Sequence, residues 1–168
     1  MQETTHERNA RLWKRTLLAD RRAGKNSPHL RHLTPEDIPA LGALFFNAFL
    51  GTIDDAGQTE TQYASKATSI VEGKYGEWIP AASWTIEHTG RLRSACLVCD
   101  YKPYGCPVIA VVATTPLHKQ SGDGRMLVNA ALSSLATLGY QECCAMITVS
   151  NDPSERLFGS LGFLPQAD

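Results

Sequence analysis

Residues Val108 to Arg125 read VIAVVATTPLHKQSGDGR, and this stretch decides the fold. The apolar run 108–113, which stops before Pro116, predicts a buried strand. A polar loop containing Gly122 and Gly124 follows it. Apolar residues then recur at the spacing of a helix, at Met126, Leu127, Ala130, Leu135 and Leu138. The segment is therefore predicted to be a strand, a loop and a helix.

The loop of residues 119–124 is a candidate site for a phosphate or diphosphate. The first N–H groups of a helix have no partner within the helix, and the helix dipole adds partial positive charge there. Gly122 and Gly124 lack the Cβ atoms that would keep a diphosphate away. Loops of this kind also serve as simple connectors. This one has neither the Gly-Lys-Ser/Thr of a Walker loop nor the third glycine of a dinucleotide fingerprint.

A second segment, residues 149–163, reads VSNDPSERLFGSLGF and makes the pattern specific. Pro116-x-x-Lys119-x-x-Gly122-x-Gly124 resembles the phosphate-loop motif R/Q-x-x-G-x-G/A of the GCN5-related N-acetyltransferase (GNAT) family. The residues that resemble the last conserved block of that family, N-x-x-A-x-x-L-Y-x-x-x-G-F, are Asn151, Ser154, Leu157, Phe158, Gly162 and Phe163. The resemblance runs from Leu30 to Phe163 and implies an α/β fold, with a mixed, partly splayed β-sheet and helices on both faces.

Length and composition fit one globular domain preceded by an arm. The chain has 168 residues, 43% of them hydrophobic, and a net charge of −1. Residues 1–27 are expected to be a basic arm, partly disordered or accessory, with one short helix or strand around residues 12–18. The arm is either solvated or bound to an acidic partner or second subunit. Residues 28–168 are expected to form the acetyltransferase domain that the resemblance implies.

The low net charge argues against a nucleic-acid partner. No apolar run is long enough for a bilayer, and the polar N-terminus lacks a signal-peptide core, so we expect no membrane partner and a cytoplasmic location. The five cysteines are odd in number and two are adjacent, which argues against a disulfide framework. Cys96 and Cys99 lie in a predicted strand and would point to opposite faces, so we expect reduced thiols and no metal.

The predicted order of elements is β-α-α-β-β-β-α-β-α, with helices on both faces of the sheet. The strand at Val108, the helix after Gly122 and the strand at Glu142 form a βαβ unit, which predicts that the two strands pair in parallel at least in part. Only residues 164–168 follow the last motif. The final strand of the fold is therefore very short, missing, or replaced by the N-terminal segment.

The resemblance implies that the protein uses acetyl-coenzyme A (acetyl-CoA) as acyl donor. In the family, the strand before the loop splays from its parallel neighbour and its backbone groups bind the pantetheine arm, while the loop binds the pyrophosphate. The cofactor-binding residues expected on this basis are Val112, Ala113, Thr114, Lys119, Gln120, Ser121, Gly122, Asp123, Gly124, Arg125, Asn151 and Phe158.

The resemblance also suggests catalytic residues, with one departure. Many members carry Tyr at position 158, whose hydroxyl protonates the departing thiolate, and Phe158 cannot donate a proton. Asn151 and Ser154 are expected near the sulfur, and Ser154 or the nascent ammonium could supply the proton. A base must deprotonate the amine, and the candidates are Glu87, Asp100, Asp54 and Asp55. We expect Asp54, Asp55, Trp78 and Tyr101 to line the acceptor site.

The sequence thus predicts an N-acetyltransferase that moves an acetyl group to a primary amine of a small molecule or peptide, by direct attack in a ternary complex. No cysteine has the neighbours of a nucleophile. The alternative is a non-catalytic or weakly catalytic acyl-CoA-binding sensor or regulatory module. A homodimer is possible.

Overall fold

A computed structural model of the chain describes residues 9–17 and 27–167. The strands are β1 (Ala10–Thr16), β2 (Leu30–His32), β3 (Glu77–Trp78), β4 (Trp84–His88), β5 (Arg91–Tyr101), β6 (Cys106–Thr114), β7 (Glu142–Thr148) and β8 (Leu164–Pro165). The helices are α1 (Ile38–Phe49), α2 (Glu60–Val71), α3 (Asp123–Thr137) and α4 (Asp152–Ser160). In this part of the chain, no helix is both long and apolar enough to span a membrane.

All eight strands belong to one mixed sheet. The strand order is β2-β4-β5-β6-β7-β1-β8, and β3 pairs with β5. The pairings are antiparallel except that of β6 with β7, which is parallel and joins Val108 to Cys144 and Ile109 to Ala145. The predicted α/β fold with a parallel pair around α3 is therefore confirmed.

The sheet separates two hydrophobic cores. α3 and α4 pack on one face through residues such as Leu127 and Phe158, and α1 and α2 pack on the other through residues such as Phe45 and Tyr63. Cys96 lies in the first core and Cys99 in the second, which confirms that their side chains point to opposite faces. Helices thus cover both faces, as a largely buried central sheet requires.

The N-terminal strand β1 is part of the sheet. The sequence allowed either a helix or a strand around residues 12–18, and the structure has a strand that pairs antiparallel with all of β7, from Ala10 opposite Thr148 to Thr16 opposite Glu142. β8 has only two residues and pairs with the other edge of β1. The final strand is thus very short, and the N-terminal segment takes the place beside β7. The remainder of the predicted arm, 1–8 and 18–26, lies outside the described residues.

Candidate functional site

The central feature of the candidate site is the parting of β6 and β7. Their parallel pairing stops at Ile109 and Ala145, and among the described residues nothing pairs 110–114 of β6 with 146–148 of β7. The register of β6 against β5 also shifts, because Leu97 faces Val111 and Val98 faces Ile109. The extra residue is a β-bulge, which bends a strand locally. The side of β6 that faces β7 is therefore without a strand partner toward its C-terminal end.

The polar loop between β6 and α3 has the geometry expected of a helix tip that can receive an anion. Gly122 precedes the 15-residue helix with φ of 90°, a conformation that glycine adopts readily, and its carbonyl oxygen accepts from the N–H of Met126 at 3.0 Å. A Cβ atom on Gly124 would lie 3.2 Å from Cδ2 of Leu157. The first glycine is thus needed for its backbone conformation, and the second lets α3 approach α4 closely.

The side chains of the loop bind the protein itself. Lys119 Nζ donates to the carbonyl oxygen of Ala48 near the end of α1 at 2.8 Å, and Ser121 Oγ donates to the carbonyl oxygen of His118. Arg125, at the start of α3, donates to Ser160 Oγ on α4. These bonds hold the loop against both layers of helices, so the N–H groups at the helix start are the remaining candidates for binding an anion.

Asp123 and Arg93 form an ion pair that the sequence did not predict. The Asp123 side chain is 3% exposed, and its two carboxylate oxygens accept from Arg93 Nε at 2.8 Å and Arg93 Nη2 at 2.9 Å. The expected role of Asp123 in binding a cofactor therefore falls to its backbone, because its side chain points to β5. The two partners are 30 positions apart in the sequence, so no local pattern predicts the pair.

Asp54 and Asn151, which the sequence suggested separately, lie together at the open end of β7. Asp54 Oδ1 accepts from Thr148 Oγ1 at 2.9 Å, and Asp54 Oδ2 accepts from Asn151 Nδ2 at 2.8 Å. Asn151 also caps α4, because its Oδ1 accepts from the N–H of Ser154 at 3.3 Å. The loop after α1 is thus fastened to the end of β7 and the start of α4 by one carboxylate.

The side chain of Asp55 makes hydrogen bonds within the loop that follows α1. Its carboxylate accepts from the N–H groups of Gly51 and Gly57, each at 2.8 Å. The two adjacent acids therefore have different surroundings, and Asp54 is the one bonded at the end of β7.

Phe158 is a core residue. Its ring is 6% exposed and packs edge to face against Phe163 with 5.1 Å between centroids. Its side chain completes the core beneath α4, so a cofactor contact from this position would have to come from its backbone. Ser154 precedes it by one helical turn and is half-buried.

Three other predicted site residues are not brought to the parted strands. Glu87, on β4, accepts a hydrogen bond from Arg31 Nε, and Arg31 in turn donates to Asp37. These two carboxylates, Asp37 first, raise the pKa of Arg31. Trp78 pairs with Cys99 in β5, and its indole N–H donates to Ser83 Oγ at 3.0 Å.

Tyr101 faces Cys106 at the start of β6 and packs edge to face on Tyr104 at 4.7 Å. Trp78 lies near the same end of β6 as Tyr101, since its partner Cys99 pairs with Val108. Both aromatic residues therefore lie toward the end of β6 that is opposite to Thr114.

Cysteine and metal chemistry find no support in the described residues. All five cysteines are buried and free. Burial raises the pKa of Cys96 to about 12 and that of Cys99 to about 11, so these thiols stay protonated at neutral pH. Within residues 9–17 and 27–167, no group of three His, Cys, Asp or Glu side chains could hold a metal ion.

Comparison with protein families and solved structures gives one consistent result. Residues 87–167 match the family model described as FR47-like protein. A Novosphingobium aromaticivorans protein assigned to the GNAT family of acetyltransferases superposes with a TM-score of 0.63 at 18% identity, over 94% of this chain and 60% of its own. A GCN5-related N-acetyltransferase from Sphaerobacter thermophilus gives a TM-score of 0.66 at 17% identity, over 94% of this chain and 48% of its own.

A GNAT-family acetyltransferase from Brucella melitensis, solved in complex with acetyl-CoA, gives a TM-score of 0.60 at 17% identity over 83% of this chain and 88% of its own. This chain thus spans less than two thirds of the N. aromaticivorans and S. thermophilus proteins and most of the B. melitensis one. At these identities the similarity establishes the fold.

Proposed function

We propose that the chain, whose residues 87–167 match the FR47-like family model and whose fold is that of GNAT acetyltransferases, transfers an acetyl group from acetyl-CoA to a primary amine of a small molecule or peptide. The observation that carries this proposal is the parting of β6 and β7 directly before the loop at the start of α3. An unpaired strand edge and a helix tip, side by side, offer backbone groups to a long ligand with a diphosphate in its middle.

The residues present fit such a ligand. The N–H groups of residues 122–124 lie at the start of a long helix, where the dipole and the helix-start donors favour a diphosphate. The strand edge at Val112, Ala113 and Thr114 can pair with the amides of a pantetheine arm. When bound, acetyl-CoA supplies an acyl thioester, which an amine can attack at its carbonyl carbon.

The backbone of β6 also has the means to promote that attack. An N–H group fixed in a sheet is oriented before the reaction begins, so it can stabilise negative charge on an oxygen at little cost in reorganisation. Val112 and Thr114 carry the candidate donors, because Thr115 donates to Arg93 on β5 and the backbone groups of alternate residues point the opposite way. When both reactants are bound in one ternary complex, the amine attacks directly and the protein needs no nucleophile of its own. All five cysteines are buried, and burial raises the pKa of each thiol, which agrees with this arrangement.

Asp54 is the candidate for handling the amine. A free amine with a pKa of about 10 is mostly protonated at neutral pH and must lose a proton before it attacks. A carboxylate at the end of β7, held by Thr148 and Asn151, can attract the ammonium form and accept its proton directly or through water. Glu87 is less well placed for this task, because its carboxylate is bonded to Arg31 on the edge strand.

Proton delivery to the departing sulfur cannot come from position 158, because Phe158 has no acidic hydrogen and lies in the core. The Ser154 hydroxyl, one turn earlier on α4, or the ammonium formed in the reaction supplies this proton. General acid help is typically worth about 10²–10⁴-fold, so its absence would slow the enzyme without abolishing turnover.

The test is coenzyme A binding by calorimetry, followed by thiol release with a panel of small amines and peptides. The variant Ser121→Glu adds a negative charge at the start of α3 and is expected to weaken binding by about tenfold or more. The matched control Thr137→Glu adds the same charge at the exposed far end of α3. The proposed site would be refuted if the wild-type protein did not bind coenzyme A, or if wild type and Ser121→Glu bound it with the same affinity.

The second candidate function is an acyl-CoA-binding sensor or regulatory module with little catalysis. The burial of Phe158 in place of the family's tyrosine favours it. Binding of coenzyme A at the loop without thiol release across a broad panel would select this function over the first.

The cellular setting is also a proposal. The near-neutral charge of the chain favours a protein without a nucleic-acid or membrane partner. The proposal places it in the cytoplasm, where it acts on amines. The narrow sheet edge at β8 allows a homodimer. Sedimentation of the purified protein and cell fractionation test these points.

A further inference from the structure

The Arg93–Asp123 ion pair occupies an unusual place, at the tip of the helix to which the proposed function assigns the diphosphate. Asp123 is the first residue of α3, and its carboxylate is almost fully buried. An acidic side chain in a first turn is favourable for a helix, because it interacts with the positive end of the dipole. For a helix that must hold a phosphate, the same charge would compete with the ligand for that end and repel it.

Arg93 removes this conflict by two contacts on opposite sides of the loop. Its guanidinium binds both oxygens of Asp123 in a fork, so the acid is neutralised and drawn toward β5. Its backbone carbonyl oxygen accepts from the N–H of Thr115 at 2.9 Å, immediately before the loop begins. One residue of β5 therefore fixes the residue that precedes the loop and the residue that starts the helix.

We infer that Arg93 is a positioning residue for the diphosphate of the coenzyme, which it serves by neutralising Asp123 and by holding the helix tip against β5. The inference rests on the proposed function, since it assumes that the helix tip is the diphosphate site. It adds a residue outside the loop motif to the binding machinery and explains how an acid is tolerated inside that motif.

The experiment measures the Kd of coenzyme A by calorimetry for four variants of the full chain. Arg93→Gln leaves the charge of Asp123 uncompensated and is expected to raise Kd by about tenfold. Asp123→Asn removes the repulsive charge and is expected to bind at least as tightly as wild type. The double variant, with neither charge, is expected to return to within about threefold of wild type. Arg91→Gln is the matched control, because Arg91 is an exposed arginine two residues earlier on β5.

A purely structural ion pair gives a different pattern. Asp123→Asn and the double variant would then lose affinity as much as Arg93→Gln, and this result would overturn the inference. Equal affinity of Arg93→Gln and wild type would overturn it also, while the proposed function would stand. Failure of wild type to bind coenzyme A would instead defeat the proposed function. If Arg93→Gln does not fold, Asp123→Asn and Arg93→Lys, which keeps the charge but loses the fork, decide the question.

Discussion

Replacement of Asp54 by asparagine would separate the charge of this residue from its structural bonds. Asn151 Oδ1 accepts from the N–H of Ser154, so its amide N–H₂ must face position 54. An asparagine at 54 can accept from that N–H₂ through its oxygen and donate its own N–H₂ to Thr148 Oγ1, since a hydroxyl both donates and accepts. These two contacts of the carboxylate are therefore kept, while its negative charge is lost.

The expected magnitudes follow from these contacts. Asp54→Asn should change the free energy of unfolding by less than about 1 kcal/mol, because the hydrogen bonds to Thr148 and Asn151 are both kept. Asp54→Ala loses these two bonds to a charged acceptor and should cost about 3 kcal/mol, the low end for two such bonds, because the site is half-buried. If the charge binds and deprotonates the amine, both variants should lower kcat/KM by about 10²–10⁴-fold.

Urea unfolding and thiol-release kinetics at saturating acetyl-CoA measure the two effects. Asp55→Asn is the control, because the Asp55 carboxylate is bonded to the N–H groups of Gly51 and Gly57 within its own loop. Wild-type turnover by Asp54→Asn with every amine accepted by the parent protein would contradict the assigned role. The same turnover loss in Asp55→Asn would show that the loop, and not the charge of Asp54, is responsible.

Three further changes test the fold around the site. Gly42→Ala would put Cβ 2.7 Å from Cβ of Ala64, so α1 and α2 must separate, and urea unfolding should show a loss of about 1–3 kcal/mol. Deletion of residues 1–17 removes the strand paired with all of β7, and a lower melting temperature with self-association in sedimentation is expected. The Arg31 guanidinium holds the pKa of Asp37 below its ordinary value of 3.8. Asp37→Asn should therefore lower stability above that pH, and the loss should vanish as pH falls through the lowered pKa in urea titrations.

Each of these changes has a control that the chain provides. Gly159→Ala places a helical Cβ at an ordinary 3.7 Å from Trp13, so it should not destabilise the protein. Deletion of residues 1–8 leaves β1 in place, so the additional loss of melting temperature in the 1–17 deletion is the part that belongs to the strand. Glu36→Gln alters the acid next to Asp37 and should have little effect on stability. The packing described above would be contradicted if Gly42→Ala were as stable as wild type, or if the 1–17 deletion left the melting temperature unchanged. It would also be contradicted if the loss of stability in Asp37→Asn persisted at acid pH.

The sequence predicted those parts of the protein that local spacing encodes. The apolar run at Val108, the glycines of the loop and the helical period after it specify strand, loop and helix over neighbouring residues, and the structure has them. In the structure Asn151, two residues before Pro153, caps α4, as is typical of a short polar side chain at a helix start. Because a βαβ unit has few alternatives, the parallel pairing of β6 with β7 followed from the order of elements.

The position of Phe158 shows a limit of prediction from short segments of sequence. The periodicity of α4 predicts a helix, and the motif suggests that position 158 faces the cofactor. Which side of the helix meets solvent or ligand depends on how α4 rests on the sheet, and the packing against Phe163 puts this ring in the core.

What the sequence by itself determined is the fold class and the strand, loop and helix around Gly122 and Gly124, because these follow from residues that are close along the chain. Only the tertiary structure decided that β1 lies beside β7, that Asp54 meets Asn151 across 97 positions of sequence, and that Arg93 neutralises Asp123. The physical reason is that such contacts are fixed by strand register and helix packing, which sum many weak interactions over the whole chain, and no short segment carries that sum.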